Sequence, residues 1–164
     1  MQNKGITLIE MVVVIVLIAL IVPGLLGLFR NVSWRAMRTE AMTQATFYAE
    51  QLMEEIKSKR FDANTISPWS STSTFGTGDA VAYNDVDDFH NYSDSPAPGY
   101  SRSVTVEYVW LNVSVWEACG STTCQAVSTC ANCNECCYKR ITITVSRSDN
   151  LVSNVNLITI VSGY

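Results

Sequence analysis

An uncharged apolar run near the N-terminus constrains this chain more than any other feature. It covers residues 11–29 and reads MVVVIVLIALIVPGLLGLF. A helix needs about 20 apolar residues to cross the hydrocarbon core of a bilayer. A cleaved secretory signal has a shorter apolar region, of roughly 7–15 residues, and a small-residue cleavage site. No such site follows the run, which leads directly into Arg30. The run therefore predicts a transmembrane helix.

The composition excludes several classes of protein. Apolar residues make up 48% of the 164 residues, which is too high for a disordered chain. The formal net charge is −4, whereas a nucleic-acid-binding protein usually has a basic patch, so we expect no nucleic-acid partner. The one histidine, His90, rules out a His-rich metal site. No nucleophile–base set or phosphate-binding loop is evident, so we expect neither an enzyme nor a cofactor.

A short polar motif comes directly before the apolar run. Residues 4–10 read Lys-Gly-Ile-Thr-Leu-Ile-Glu, which places Glu10 at the edge of the run. A carboxylate costs about 2.5–3.5 kcal/mol at the centre of a membrane helix and less near the interface. Two interpretations are open: Glu10 reaches the interface, or it meets a positive partner when helices pack together.

This motif and the run after it resemble the prepilin leader of type IV pilins and type II secretion pseudopilins. The resemblance implies that prepilin peptidase cuts between Gly5 and Ile6 on the cytoplasmic side and methylates Ile6. Most members of the family have Phe where this chain has Ile6. The resemblance also implies that Glu10 pairs with the amino group of Ile6 on an adjacent subunit. The implied partners are other pilin subunits, prepilin peptidase, the membrane and the inner-membrane assembly machinery.

The flanking charges and the resemblance disagree on orientation. Lys4 and the α-amino group precede the run, whereas Arg30, Arg35 and Arg38 follow it. The positive-inside tendency would place the C-terminal side in the cytoplasm. The resemblance implies a single-pass inner-membrane precursor with its C-terminal domain outside, later part of an extracellular pilus or a periplasmic pseudopilus. We follow the resemblance because the leader motif is more specific than a charge bias.

The helical pattern continues after the run, and we divide the chain accordingly. Residues 1–5 are the leader, 6–30 a transmembrane or filament-core helix, 31–61 an amphipathic helix and 62–164 a globular head. Pro23 and Gly24 predict a kink or local melting, because proline removes a helix hydrogen bond. One face of the amphipathic helix repeats apolar residues every three or four positions. These residues are Met37, Ala41, Ala45, Tyr48, Leu52 and Ile56.

The first part of the head predicts a long ordered loop over residues 62–100, with Tyr83, Phe89, Tyr92 and Tyr100 as apolar anchors. Its acidic patch is a weak candidate for calcium, but the EF-hand spacing is absent, and capping and turn formation are the favoured roles. The patch contains Asp85, Asp87 and Asp88. Residues 48–62, 83–91 and 138–145 are similar to minor pilins of the MSHA D-subunit or pilus-modification type.

The last third of the chain has strand signals. Val104, Val106 and Tyr108 alternate with polar residues, and the apolar phase then shifts by one at Val109, which predicts a bulge or bend. Residues 141–145 and 155–161 also alternate, and 148–150 form a turn. We predict an α+β fold, in which an antiparallel sheet of three or four strands packs on the amphipathic helix.

All six cysteines lie in an insert at residues 119–137, on which the resemblance says nothing. In an exported domain, an even number of clustered cysteines predicts disulfides. Adjacent Cys136 and Cys137 then reach different partners, and one bridge closes the base of the loop. A zinc or iron–sulfur site is the alternative interpretation. The insert contains Cys119, Cys124, Cys130, Cys133, Cys136 and Cys137.

The sequence as a whole predicts a minor pilin-like structural subunit of a type IV pilus. The nearest alternative is a type II secretion pseudopilin. An alternative of another class is a single-span membrane protein with a cysteine-rich metal or redox module, which would keep its leader.

Overall fold

A computed structural model describes residues 8–63, 69–70, 75–76, 83–119 and 138–163. One long helix precedes a small antiparallel sheet, so the predicted α+β fold is confirmed. The chain divides into two compact units, Met1–Glu40 and Ala41–Tyr164, here called the N-terminal unit and the head. The elements are helix α1 (Leu8–Lys57), a short 3-10 helix (Asp87–Phe89), β1 (Ser93–Asp94), β2 (Tyr100–Asn112), β3 (Val115–Ala118), β4 (Tyr138–Arg147) and β5 (Val155–Ser162).

The N-terminal unit is helical from Leu8 onward, and Pro23 lies inside the helix. The local melting predicted at Pro23 and Gly24 is therefore wrong. Proline removes one backbone hydrogen bond, and the turns on either side keep theirs, which membrane helices tolerate. Bulky apolar side chains are exposed all along this unit, from Leu8 at 84% to Phe29 at 76%. Among the described residues of the unit, 8–40, all side chains are exposed.

The head begins with the last turns of α1, which carry the predicted apolar face. Alanines at every fourth position leave room for the sheet to approach, and larger residues complete the face toward Lys57. Met37 was predicted on this face but is 52% exposed, because it lies before the head begins. The buried residues are Ala41, Ala45, Ala49, Leu52, Met53 and Ile56.

The sheet has five strands, whereas three or four were predicted; the strand order is β1-β2-β4-β5, and β3 pairs with β2. β2 and β4 pair in one unbroken register from Tyr100 opposite Arg147 to Val109 opposite Tyr138. The predicted bulge is therefore wrong. The apolar residues of β2 change from one face of the sheet to the other at Val109, while the strand keeps its register. Val109 lies on the outer face of the sheet, where the rings of Trp116 and Tyr138 contact each other.

The core lies between the sheet and α1. It is built from alternate residues of β2 and β4 together with the helix face and Phe89. The region predicted as loop contributes the 3-10 helix and β1, which the sequence analysis did not predict. Tyr100, predicted as a loop anchor, is the first residue of β2.

Candidate functional site: the apolar helix and the buried lysine cluster

The N-terminal motif is described only in part. Gly5 and Ile6 lie outside the described residues, so the predicted cleavage point has no structural account here. Glu10 lies in the first turn of α1 and is exposed. A carboxylate in the first turn interacts favourably with the helix dipole, because the N-terminal N–H groups carry partial positive charge.

The apolar part of α1 is suited to a nonpolar solvent. Within the described residues, one helix is long and apolar enough to cross a membrane, with a mean hydropathy of 3.1 over its best window. None of that window is buried by the rest of the chain. The core helix of a soluble protein would be mostly buried, whereas this surface needs lipid or other helices to cover it.

The head contains a fully buried cation, Lys139, on β4. Its Nζ donates hydrogen bonds to the carbonyl oxygen of Phe61 at 2.7 Å, to Asp62 Oδ2 at 2.9 Å and to Asp87 Oδ1 at 2.9 Å. These bonds use all three N–H donors of the ammonium group. The Nζ also lies 4.4 Å from the ring centroid of Phe61 and 5.3 Å from that of Tyr108. Lys139 thus joins the sheet to the segment after α1 and to the acidic loop.

Asp62 extends this network toward the next segment. Its Oδ1 accepts a hydrogen bond from the Ser70 hydroxyl at 2.8 Å, and its Oδ2 accepts one from the Ser70 backbone N–H at 2.9 Å. The Tyr108 hydroxyl donates to the Ser70 carbonyl at 2.9 Å. Because Asp62 and Lys139 have no exposed side-chain surface, loss of Lys139 would remove the buried cation with which the Asp62 carboxylate pairs.

The carboxylates of Asp85 and Asp88 in the acidic patch accept hydrogen bonds from backbone N–H groups of the same loop. Asp88 Oδ2 accepts hydrogen bonds from the Asn84 N–H at 2.9 Å and the Asp85 N–H at 3.4 Å. Asp85 Oδ1 accepts from the Asp88 N–H at 3.2 Å. Burial and the neighbouring Asp87 carboxylate raise the pKa of Asp85 from 3.8 to about 7. In the parts of the chain that the structure describes, no three metal-binding side chains cluster.

A second ion pair fixes the other end of the sheet. Arg102 Nε donates to Asp94 Oδ1 at 2.8 Å, and its Nη1 donates to the Tyr48 carbonyl at 3.0 Å. The hydrogen bond from Arg102 lowers the pKa of the Asp94 carboxyl. This pair joins β1 and β2 to α1 and explains why Arg102 is buried in a strand position that faces the helix.

Comparison with known protein families decides what the N-terminal segment is. Residues 1–22 match the family model described as the prokaryotic N-terminal methylation motif. This is the type IV prepilin signature. Curated proteins and solved structures gave no match to the chain.

The prepilin signature and the apolar helix together support a membrane-anchored precursor that is a substrate of prepilin peptidase and assembles with other pilins. They point to a structural subunit. The signature places Glu10 inside the matched segment. Its pairing with Ile6 of a neighbouring subunit stays a prediction.

The cysteine insert is described only at its first residue. Cys119 is disulfide-bonded, and its backbone N–H donates to the Tyr108 carbonyl at 2.8 Å. The five other cysteines lie outside the described residues, so the prediction of three bridges stays a prediction.

Sequence reasoning missed Lys139 and Asp62. A signal for Lys139 was present, since residues 139, 141, 143 and 145 share one face of β4, and the last three are core positions. A lysine in register with three buried apolar residues indicates a buried, paired charge. The partner at Asp62 gave no such signal, because it follows the helix in an irregular segment.

Proposed function

We propose that the chain is a minor pilin-like structural subunit of a type IV pilus. In this proposal prepilin peptidase cuts between Gly5 and Ile6 and methylates Ile6. The mature subunit then enters a filament, or sits at its tip, through its apolar helix. The observation that carries the proposal is the match of residues 1–22 to the N-terminal methylation motif.

The contrast in burial between the two units supports assembly through the helix. The head buries its own core, whereas the apolar side chains of the N-terminal unit are exposed. Moving such a helix from lipid into a bundle of similar helices replaces one apolar environment with another, so it costs little hydrophobic free energy. The polar cost of Glu10 is offset by the amino group of Ile6 on the neighbouring subunit.

Two alternatives make different predictions. A type II secretion pseudopilin would carry the same processed N-terminus but would stay in the periplasm, so localisation of the mature protein separates it from a pilus subunit. A single-span protein with a cysteine-rich metal or redox module would keep Met1 and would bind metal through reduced cysteines.

Intact-protein mass spectrometry of the protein purified from a host with prepilin peptidase tests the proposal. We expect a mature chain that begins with methylated Ile6. Gly5→Leu should abolish processing, because a large side chain would not fit where the peptidase accepts glycine. Gly27→Leu is the matched control, since no atom lies within 4 Å of its added Cβ, and it should be processed normally. Normal maturation of Gly5→Leu would refute the proposal.

The same measurement addresses the cysteine insert. Comparing the mass before and after reduction counts the disulfides, and we expect three with no free thiol. Elemental analysis for zinc and iron should find neither. Four or more free thiols with about one zinc per chain would instead favour the single-span metal module.

A further inference from the structure

The two edges of the sheet in the head differ in how they are covered. On the β2 side, β1 pairs near one end of β2 and β3 pairs at the other end. Between them, the Asn91 N–H donates to the Val104 carbonyl at 3.0 Å, and the Val104 N–H donates to the Tyr92 carbonyl at 2.9 Å. The Val106 N–H donates to Nδ1 of the His90 ring at 3.1 Å. The chain itself therefore covers this edge.

The opposite edge is strand β5, and it is open. Strand β5 pairs with β4 on one side, and within the described residues no hydrogen bond reaches its other side. Proteins usually protect such an edge with a charged residue, a proline or a bulge, because open backbone groups pair readily with another chain. Strand β5 reads VNLITIVS, without charge or proline, and its register with β4 has no bulge. The edge is thus an unprotected pairing surface.

The ladder shows which residues of β5 face this edge. Opposite residues of an antiparallel pair direct their backbone groups either toward each other or away from each other. The Val106 N–H points away from β4, toward His90, so its partner Ile141 faces β5 and bonds to Thr159. Backbone groups alternate along a strand, so the neighbours of Thr159 face the open edge. The outward-facing residues are Asn156, Ile158, Ile160 and Ser162.

The side chains of β5 are symmetric in character about Thr159. An isoleucine lies on each side of Thr159, followed by Leu157 and Val161, and then by Asn156 and Ser162. If two β5 strands pair antiparallel about this centre, apolar residues meet apolar residues and uncharged polar residues meet each other. The same centre also places the outward-facing residues opposite one another, so their open N–H and C=O groups all gain partners.

We propose that the open edge of β5 pairs antiparallel with β5 of a second copy of this chain, which joins the sheets of the two heads into one. Ile158 of one copy lies opposite Ile160 of the partner subunit, and Thr159 lies opposite its own equivalent. Such a contact is isologous, so the pair closes on itself. The proposal does not depend on filament assembly, because β5 belongs to the head.

The symmetry of this pair fixes the direction of the helices. Its two-fold axis is perpendicular to the sheet, so rotation about the axis reverses every element that lies along the sheet. The buried face of α1 from Ala41 to Ile56 packs on the sheet, so these segments of the two copies run in opposite directions. Copies inserted in one membrane have the same orientation. The pair therefore joins heads from two opposed membranes or filaments, and it does not join neighbours within one.

An isotope-filtered NOE experiment on the full-length chain in detergent micelles tests the pairing, because micelles do not constrain the orientation of the helix. A ¹³C-labelled copy is mixed with an unlabelled copy at about 1 mM, which detects a Kd in the micromolar range. We expect an NOE between the Hα atoms of Thr159 in the two copies, since Cα atoms opposite each other in a non-hydrogen-bonded pair lie about 4.5 Å apart. The absence of this NOE, with or without contacts between the helices, would overturn the proposal.

Two lysine variants separate the edge from general charge. Ile158→Lys should weaken the pair at least about tenfold in sedimentation equilibrium, because it protects the edge, and the head should still fold because Ile158 is 58% exposed. Thr142→Lys is the matched control, since Thr142 lies opposite Ile158 on the same face but on β4. It should leave the Kd within about twofold of the parent. Equal weakening by both variants, or by neither, would refute the role of the edge.

A charge exchange tests the register. Ile158→Lys in one copy and Ile160→Glu in the other place opposite charges across the pair, and opposite charges on facing residues are favourable. We expect the mixture to associate about tenfold more tightly than either variant alone. A mixture that associates no better than the separate variants would refute pairing centred on Thr159.

Discussion

The two parts of helix α1 differ in how far their side chains are buried. From Leu8 to Glu40 the side chains are exposed, whereas from Ala41 to Ile56 one face is buried under the sheet. Both parts are helical, so backbone hydrogen bonding does not distinguish them. The difference lies in what covers the side chains. The second part uses small alanines to bring a sheet close, whereas the first part has bulky apolar residues on all sides as far as Phe29.

A helix that is apolar on all sides belongs in lipid or among other helices, and an amphipathic one belongs at the surface of a core. The contrast therefore indicates that the head folds by itself, whereas the N-terminal unit depends on its environment. It also predicts that substitutions in the two units have separable effects. The following experiments test that separation, in order of decreasing effect on the free energy of unfolding of the head.

The largest effect is expected at the buried ion cluster. Lys139→Ala removes the cation that pairs with Asp62 and Asp87, so two buried carboxylates lose their partner. We expect a loss of about 3–5 kcal/mol in the free energy of unfolding. Urea denaturation of the full chain in detergent, followed by near-UV circular dichroism, measures it. Lys57→Ala, which breaks an exposed pair with Glu54, should cost less than about 0.5 kcal/mol. Similar losses in the two variants would contradict the role of the cluster.

A glycine substitution should have a smaller effect, and only in the head. Gly76 has a φ of 70°, and a Cβ added there would lie 2.3 Å from the His90 carbonyl oxygen. We expect Gly76→Ala to destabilise the head by about 2–3 kcal/mol, since both the backbone conformation and the contact are unfavourable. Gly24→Ala meets no atom within 4 Å and should change the stability of the head by less than about 0.5 kcal/mol. The same denaturation assay compares the two variants. If Gly24→Ala destabilised the head as much as Gly76→Ala does, the effects of substitutions in the two units would not be separable.

The pH dependence of stability should depend on Asp85. Its pKa is about 7 in the folded head against an ordinary value of 3.8, so folding favours the protonated form. The stabilisation is complete below about pH 4 and is lost as the pH rises through 7. Asp94 acts in the opposite direction, because its lowered pKa makes its contribution disappear as the pH falls.

Asp85→Asn should remove the loss of stability of the head between pH 4 and 7. At pH 8 we expect the variant to be about 1–2 kcal/mol more stable than the parent, and equally stable near pH 4. Thermal denaturation across this pH range measures the difference. Glu50→Gln, at an exposed position of α1, is the control and should keep the parental pH profile. A parental profile in Asp85→Asn would show that Asp85 is ionised at neutral pH in the folded head.

The smallest effect on the head is expected from Glu10→Ala. The free energy of unfolding of the head should stay within about 0.5 kcal/mol of the parent, because Glu10 is exposed in the other unit. Membrane insertion should be unchanged or improved, since a carboxylate is removed from the edge of the apolar run. Incorporation into filaments should fall, because the amino group of Ile6 on the adjacent subunit loses its counter-charge. Quantification of the variant in purified filaments checks this, and incorporation at the parental level would refute the pairing.

Local patterns predicted the main elements well. Of the predicted helical face, Ala41, Ala45, Leu52 and Ile56 are buried and Tyr48 is partly buried. The alternation of Ile141, Ile143 and Val145 is also observed as buried positions. The predicted melting at Pro23 failed because one missing hydrogen bond does not end a long helix. The predicted bulge after Tyr108 failed because a change of apolar face also occurs in a strand of unbroken register when both faces are covered.

The sequence by itself determined that this chain has a prepilin-type N-terminus, an apolar helix and an α+β head. Those features depend on residues that are neighbours in the chain or repeat at the period of a helix or strand. Only the tertiary structure decided that Lys139 meets Asp62 and Asp87 and that Arg102 meets Asp94 and the Tyr48 carbonyl. The physical reason is that burial and electrostatic pairing act between residues that are distant in the sequence, and the packing of the sheet, the end of α1 and the 3-10 helix around one core brings them together.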